Sequence, residues 1–183
     1  MSEPVSIDLT PFLASPGRNR VEVRRASGAS EAAAQLVASH YVPWTSPSAS
    51  PARAKDKNSP SLKVSFERTE AEAGQALACR VEVARGAGSG MLLAEVGLPP
   101  GVEIERASLE RAKGDPAARL DRYEVLPDRV VLYLWPDGAR PARLGFTFRP
   151  RYAFRALTAP SQVYDYYNPE ARAVVPPARF VIR

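Results

Sequence analysis

The stretch from Val130 to Phe148, VVLYLWPDGARPARLGFTF, decides the fold class. It begins with six almost entirely apolar residues, a run that is typical of a central strand buried on both faces. The turn-forming residues Pro-Asp-Gly follow, and then Leu144, Phe146 and Phe148 alternate with small or polar residues at a period of two. The stretch therefore predicts two strands of a β-sheet.

Segments with the same pattern recur from residue 61 to residue 183 at the spacing expected of a β-sandwich. The predicted strands cover residues 62–66, 76–84, 91–96, 130–135, 144–148, 162–167 and 179–182. A single short helix is predicted from Glu105 to Lys113, because this segment follows a Pro-Pro-Gly turn and stops at Gly114. We therefore expect an all-β, antiparallel sandwich with one short helix.

The N-terminal piece, residues 1–44, is patterned as three further strands. Val5, Ile7 and Leu9 alternate with polar residues, and Val21 and Val23 do the same. The apolar segment 33–42 is compatible with a helix or a strand, and Val37 together with the ending Tyr41-Val42-Pro43-Trp44 favours a third strand. Three strands in 44 residues bury little surface by themselves, so we expect this β-piece to be incomplete. Residues 45–60, which are rich in Ser, Pro and Lys, are predicted to be a linker to a domain at 61–183.

Composition excludes several classes of protein. Eighteen prolines in 183 residues are incompatible with a long-helix bundle, and the single cysteine, Cys79, excludes an internal disulfide and a cysteine-based zinc site. Cys79 occupies an inward position of a predicted strand, and His40 lies in an apolar run, so we interpret both as packing residues. We expect no enzyme activity and no cofactor. No segment is patterned as a signal peptide or as a membrane span.

Basic residues are concentrated between Gly138 and Arg155, a stretch without any acidic residue. Arginines beside aromatic residues are typical of surfaces that bind polyanions or single-stranded nucleic acid. However, Phe146 and Phe148 follow a core pattern, so a solvated sheet face is the preferred interpretation and nucleic acid is not an expected partner. The candidate polyanion surface consists of Arg140, Arg143, Arg149 and Arg151.

Three segments carry a resemblance to a known family: 163–170 (VYDYYNPE), 91–111 (MLLAEVGLPPGVEIERASLER) and 123–135 (YEVLPDRVVLYLW). In this order they resemble the C-terminal, receptor-binding-type domain of alpha-2-macroglobulin family proteins, in a bacterial-type member without the cysteines of the vertebrate domain. The resemblance implies a macroglobulin-type sandwich over residues 61–183, with 123–135 as one of its strands. It also implies that residues 1–44 are the closing strands of a partial CUB-like β-domain.

The resemblance implies a function as well. Members of the family are non-enzymatic, broad-spectrum protease inhibitors, in which this region packs against a thioester domain and other macroglobulin domains. Tyr164, Tyr166 and Tyr167 are the candidate contacts with the thioester domain, and Tyr164 and Tyr166 are expected on one face of their strand. Target proteases would be engaged indirectly, and the parent protein would be periplasmic, on the cell surface or secreted. The alternative is a free-standing β-sandwich module that binds polyanions or a protein partner.

Overall fold

The structure is a computed structural model that describes residues 5–13, 19–24, 35–38, 44, 59–86, 89–138 and 140–183. The chain divides into two compact units, Met1–His40 and Tyr41–Arg183. In the first unit, Thr10–Phe12 forms a 3-10 turn, in which the Phe12 amide donates to the Leu9 carbonyl oxygen (2.9 Å).

The described residues of the first unit contain no strand, so the predicted strands at residues 5–9 and 21–23 are wrong for this chain by itself. A strand is held by hydrogen bonds to a neighbouring strand, and the described residues of this unit supply none. Val5, Ile7 and Val23 consequently remain exposed. Most of the third predicted strand, His40 and residues 45–58 lie outside the described residues. The CUB-like assignment and the domain boundaries stay predictions.

The described part of the second unit contains one α-helix and twelve strands. They are β1 (Ser61–Phe66), β2 (Glu70–Ala71), β3 (Leu77–Ala84), β4 (Leu92–Gly97), β5 (Val102–Ile104), α1 (Arg106–Gly114), β6 (Leu120–Val125), β7 (Arg129–Leu134), β8 (Ala142–Pro150), β9 (Phe154–Leu157), β10 (Ser161–Asp165), β11 (Arg172–Val175) and β12 (Arg179–Ile182). Strand order is β1-β3-β8-β5 in the first sheet, β11-β10-β4-β7-β6 in the second and β2-β12-β9 in a small third sheet. Every pairing is antiparallel except that of β2 with β12. The predicted β-sandwich with one short helix is confirmed.

The alternating residues of the long strands build the core. One face of β3 contributes Leu77, Cys79, Val81 and Val83, and one face of β8 contributes Leu144, Phe146 and Phe148. The rings of Phe66, Phe148 and Phe180 meet edge to face, with centroids 4.9 to 6.1 Å apart. The other face of the first sheet is therefore free to carry charged side chains.

Helix α1 covers part of the free edge of β8. The Glu105 amide donates to the Thr147 carbonyl oxygen (2.9 Å), and the Thr147 amide donates to Ser108 Oγ (2.9 Å). Leu109 of the helix is fully buried in the core. The helix thus satisfies backbone groups of β8 that β5 is too short to reach.

Two predicted strands require correction. Residues 123–135 form not one strand but two, β6 and β7, joined by a turn in which the Leu126 amide donates to the Arg129 carbonyl oxygen (2.9 Å). Pro127 in this turn has no amide to donate to a strand neighbour. The strand predicted at 162–167 ends at Asp165, because the Asp165 side chain accepts hydrogen bonds from the amides of Tyr167 and Asn168.

Candidate functional site

The candidate tyrosines lie at and beyond the end of β10. After this strand, residues 165–168 form a turn that we call the tyrosine turn. Asp165 Oδ1 accepts hydrogen bonds from the amides of Tyr167 (2.8 Å) and Asn168 (3.1 Å). A carboxylate that accepts hydrogen bonds from two following amides stabilises a local turn, because those amides no longer need a strand partner. The turn therefore has a defined conformation.

A buried ion pair anchors the tyrosine turn to the sandwich. Arg85, directly after β3, is only 4 % exposed, and its Nη1 donates to Asp165 Oδ2 at 2.8 Å. Its Nη2 donates to the Gly90 carbonyl oxygen at 2.6 Å, just before β4. Burial raises the pKa of Asp165, but the hydrogen bonds from Arg85, Tyr167 and Asn168 outweigh it and hold that pKa below its ordinary value. We call the Arg85–Asp165 pair the arginine latch.

Tyr166 and Tyr167 project from this anchored turn into solvent. Their side chains are 49 % and 73 % exposed, and their rings meet edge to face with centroids 5.1 Å apart. The Tyr166 amide donates to the Met91 carbonyl oxygen (3.1 Å). The Tyr167 ring lies beside Gly90, where a Cβ would approach its Cδ2 to 3.6 Å. The structure thus brings these two tyrosines together on one turn.

Tyr164 has a different environment. It lies within β10 and packs on the outer face of the second sheet against a cluster formed by Leu93, Val131 and Tyr133. Its hydroxyl donates to Glu95 Oε1 (3.1 Å), and its burial, together with the Glu95 charge, raises its pKa. The expectation that Tyr164 and Tyr166 share one strand face is wrong, because the strand ends between them.

The four candidate arginines separate into two groups. Arg143 and Arg149 both point outward from β8, on the solvent face of the first sheet. Arg140 lies in the loop before β8, where its amide donates to Asp137 Oδ1 (2.8 Å), and Arg151 pairs with Glu103 (3.0 Å). Only Arg143 and Arg149 are therefore brought to one surface.

The described residues contain no group of three or more His, Cys, Asp and Glu side chains that could hold a metal ion. Cys79 is completely buried, and burial raises the pKa of its thiol to about 12. Such a thiol is protonated and inaccessible, which agrees with its interpretation as a packing residue. No helix in the described part of the chain is long and apolar enough to cross a membrane.

Arg85, Asp165, Lys63, Arg80 and Arg111 were not candidates in the sequence. Asp165 and Asn168-Pro169 do carry a local signal, since Asx residues and Asn-Pro favour turns. Arg85 has no local signal, because its carboxylate partner is 80 positions away. The partners of exposed cations on a sheet likewise depend on strand register.

Comparison with known proteins supports the resemblance. The model of the A-macroglobulin receptor binding domain family matches residues 87–176. Native alpha-2-macroglobulin from Escherichia coli, from domain MG7 to the C-terminus, superposes with a TM-score of 0.61 and 18 % identity over 69 % of this chain and 24 % of that structure. A tyrosine-to-glycine variant of Salmonella alpha-2-macroglobulin gives a TM-score of 0.60 and 17 % identity over 68 % of this chain and 9 % of that one.

No curated protein sequence matches the chain. The chain spans about a quarter or less of the length of these solved structures. At this level of identity the structural likeness shows a common fold, while the family model supplies the sequence relationship. The predicted resemblance to the alpha-2-macroglobulin family is therefore confirmed: residues 87–176 match its receptor-binding domain, and the sandwich has the fold of the C-terminal region of a bacterial alpha-2-macroglobulin.

Proposed function

We propose that this chain is the C-terminal region of a bacterial-type alpha-macroglobulin, a broad-spectrum protease trap that works without enzymatic chemistry of its own. Its partners are the thioester domain and other macroglobulin domains of a parent protein, and target proteases are engaged only indirectly. The proposed location of the parent is periplasmic, on the cell surface or secreted. The match of residues 87–176 to the receptor-binding domain supports this assignment.

The observation that carries the proposal is the combination of exposure and anchoring in the tyrosine turn. Tyr166 exposes about half of its surface and Tyr167 about three quarters, yet the arginine latch and two amide hydrogen bonds hold the backbone beneath them. An aromatic side chain on a fixed backbone loses little conformational entropy when it is buried by a partner. Such residues are common among the few that dominate binding energy at interfaces. The tyrosine turn is the proposed contact with the thioester domain.

A protease-triggered rearrangement is part of the proposal. One solved relative is E. coli alpha-2-macroglobulin activated by porcine elastase, and another is the Salmonella protein reacted with methylamine. In the proposed mechanism, the tyrosine turn of this chain packs on the thioester domain before cleavage. The contact is lost or altered when a protease cuts elsewhere in the parent. Two preformed surfaces that dock rigidly can separate without unfolding either domain, which is compatible with such a release.

The test is the affinity of this chain for a separately expressed thioester domain from the same organism, measured by calorimetry. Replacing both Tyr166 and Tyr167 with Ala is expected to weaken binding by about 30-fold, the equivalent of about 2 kcal/mol for the loss of an anchor pair. The matched control is Tyr152→Ala, since Tyr152 is 64 % exposed and lies beside Gly101, outside the tyrosine turn.

The isolated chain itself should inhibit no protease. Equal affinities for the unmodified chain, the double variant and the control would remove the tyrosines from the interface. Complete absence of binding by the unmodified chain would contradict docking to the thioester domain altogether.

A further inference from the structure

The outer face of the first sheet carries a set of cations that the sequence alone did not group. Outward positions of β1, β3 and β8 place four cationic side chains on this surface, which we call the basic face: Lys63, Arg80, Arg143 and Arg149. Register puts Lys63, Glu82 and Arg143 in one row across three strands, and Arg80 beside Gly145 in the next row. Arg143 and Arg149 are six residues apart on β8, which separates them by about 20 Å.

Acidic side chains offset only part of this positive charge. Glu82 is shared by Arg143 (3.0 Å) and Lys63 (3.6 Å), and Glu103 is paired with Arg151 (3.0 Å). Among the described residues, Arg80 and Arg149 have no carboxylate within ion-pair distance. Their nearest acidic neighbours are paired with other cations: Glu67, which also feels the charge of Arg80, pairs with Arg68 (3.0 Å), and Glu103, opposite Arg149 in the register, pairs with Arg151. In the described part of the chain, the guanidinium of Arg149 donates to the Gly74 carbonyl oxygen (3.2 Å) and to no other acceptor. The face therefore keeps a positive excess that attracts anions.

A groove lies between helix α1 and the Arg80 end of the basic face. It has a volume of about 340 Å³, and its lining includes Gly145, which has no side chain to cover the strand backbone, and one carboxylate, Asp115. Arg80 stands on the β3 side of the groove and Arg111 on the helix side, where Arg111 is 68 % exposed and only loosely paired with Glu105 (3.5 Å). Arg80 and Arg111, one on each side of the groove, can bind successive anionic groups of one extended polymer.

We propose that the basic face binds a linear acidic polysaccharide, which continues into the groove at the Arg80 end of the face. Charge complementarity favours an anionic polymer, and the exposed cations match charges that repeat along its length. Single-stranded nucleic acid is the poorer match, because it is usually held by aromatic platforms. Phe146 and Phe148, which interleave with the arginines in the sequence, are buried in the core at 2 % and 0 % exposure. This activity is independent of the proposed docking to a thioester domain.

The experiment uses the intact chain, with heparin, a sulfated polysaccharide, as the probe. Affinity is measured between 50 and 200 mM salt, a range over which four ionic contacts weaken binding by about 10²-fold. The double variant Arg80→Glu, Arg149→Glu is expected to lose at least about tenfold in affinity and to show a shallower salt dependence. The control is Arg172→Glu, Arg179→Glu, which has the same change in charge at two exposed strand residues outside the basic face. It should change affinity by less than about twofold.

Three outcomes would overturn the proposal. One is the absence of heparin binding at the lowest salt, and a second is an equal loss in both double variants, which would indicate attraction by net charge alone. The third is tighter binding of a single-stranded oligonucleotide than of heparin, which would assign the face to nucleic acid. Thermal unfolding of all variants verifies that the sandwich is intact before affinities are compared.

Discussion

Replacement of Gly97 by Ala tests how the segment before β10 packs against the end of β4. Gly97 ends β4 on the outer face, where the segment before β10 crosses directly over it. A Cβ at this position would overlap the Ala159 carbonyl oxygen, and it would lie 2.6 Å from the carbonyl carbon and 3.2 Å from the Cα of Ala159. Ordinary carbon–carbon contacts are about 3.5 to 4.0 Å, so one backbone must move by about 1 Å.

The movement has two energetic consequences. Overpacking of this kind costs about 1 to 3 kcal/mol, because the obstacle is backbone rather than a flexible side chain. The Gly97 amide also donates to the buried Ser161 Oγ at 2.9 Å, and losing that hydrogen bond adds about 1 to 3 kcal/mol. We expect the free energy of unfolding to fall by about 3 kcal/mol or more and the Tm to fall by about 10 °C.

Urea unfolding followed by tryptophan fluorescence measures this change. Gly114→Ala and Gly138→Ala are the matched controls, since a Cβ at either position meets no atom within 4 Å. Both should change stability by no more than about 1 kcal/mol, and Gly114→Ala should be neutral or stabilising because Gly114 ends a helix. A loss of less than about 1 kcal/mol for Gly97→Ala would refute the close crossing of Ala159.

Two further predictions concern buried groups. Because the arginine latch holds the pKa of Asp165 below its ordinary 3.8, the latch stabilises the fold above that pH, and its contribution is lost as the pH falls through the lowered value. The free energy of unfolding of Asp165→Asn should therefore be lower than that of the unmodified chain by about 3 kcal/mol near neutral pH. Acid-unfolding curves should show this difference shrinking below about pH 4, and a difference that stays constant with pH would contradict the ion pair. Cys79, the single cysteine of the chain, should resist a thiol reagent at pH 8 in the native state and react fully in urea, since burial raises its pKa to about 12; rapid native labelling would show that β3 opens.

The long strands were predictable because their buried and exposed residues alternate along the sequence. Leu77 to Val83 and Leu144 to Phe148 alternate over enough residues for the buried face to be identified. The helix was placed within one residue, since the turn before it and Gly114 at its end are both local signals. The strand β5 was missed because three residues after a Pro-Pro-Gly turn are too few to establish a period.

The candidate site was only partly predictable. The aromatic content of the tyrosine turn is visible in the sequence, but alternation continued across Asp165 wrongly assigned Tyr166 and Tyr167 to a strand. What ends the strand is a pair of hydrogen bonds that the Asp165 carboxylate accepts from the amides of Tyr167 and Asn168. That carboxylate is held by Arg85, which directly follows β3 of the first sheet. The basic face has the same limitation, because Lys63, Arg80 and Arg143 become neighbours only through strand register.

The register of β3 against β8 also bears on how fast the sandwich can form. Leu77 pairs with Phe148, and Leu92 of β4 pairs with Asp165 of β10, so both central ladders join residues about 70 positions apart. Closing loops of that length loses chain entropy before any compensating contact is made. Refolding should therefore take milliseconds to seconds, as it does for sandwiches dominated by non-local pairing. During that interval the apolar faces of β3 and β8 are unpaired, and the yield of soluble protein depends on concentration and temperature.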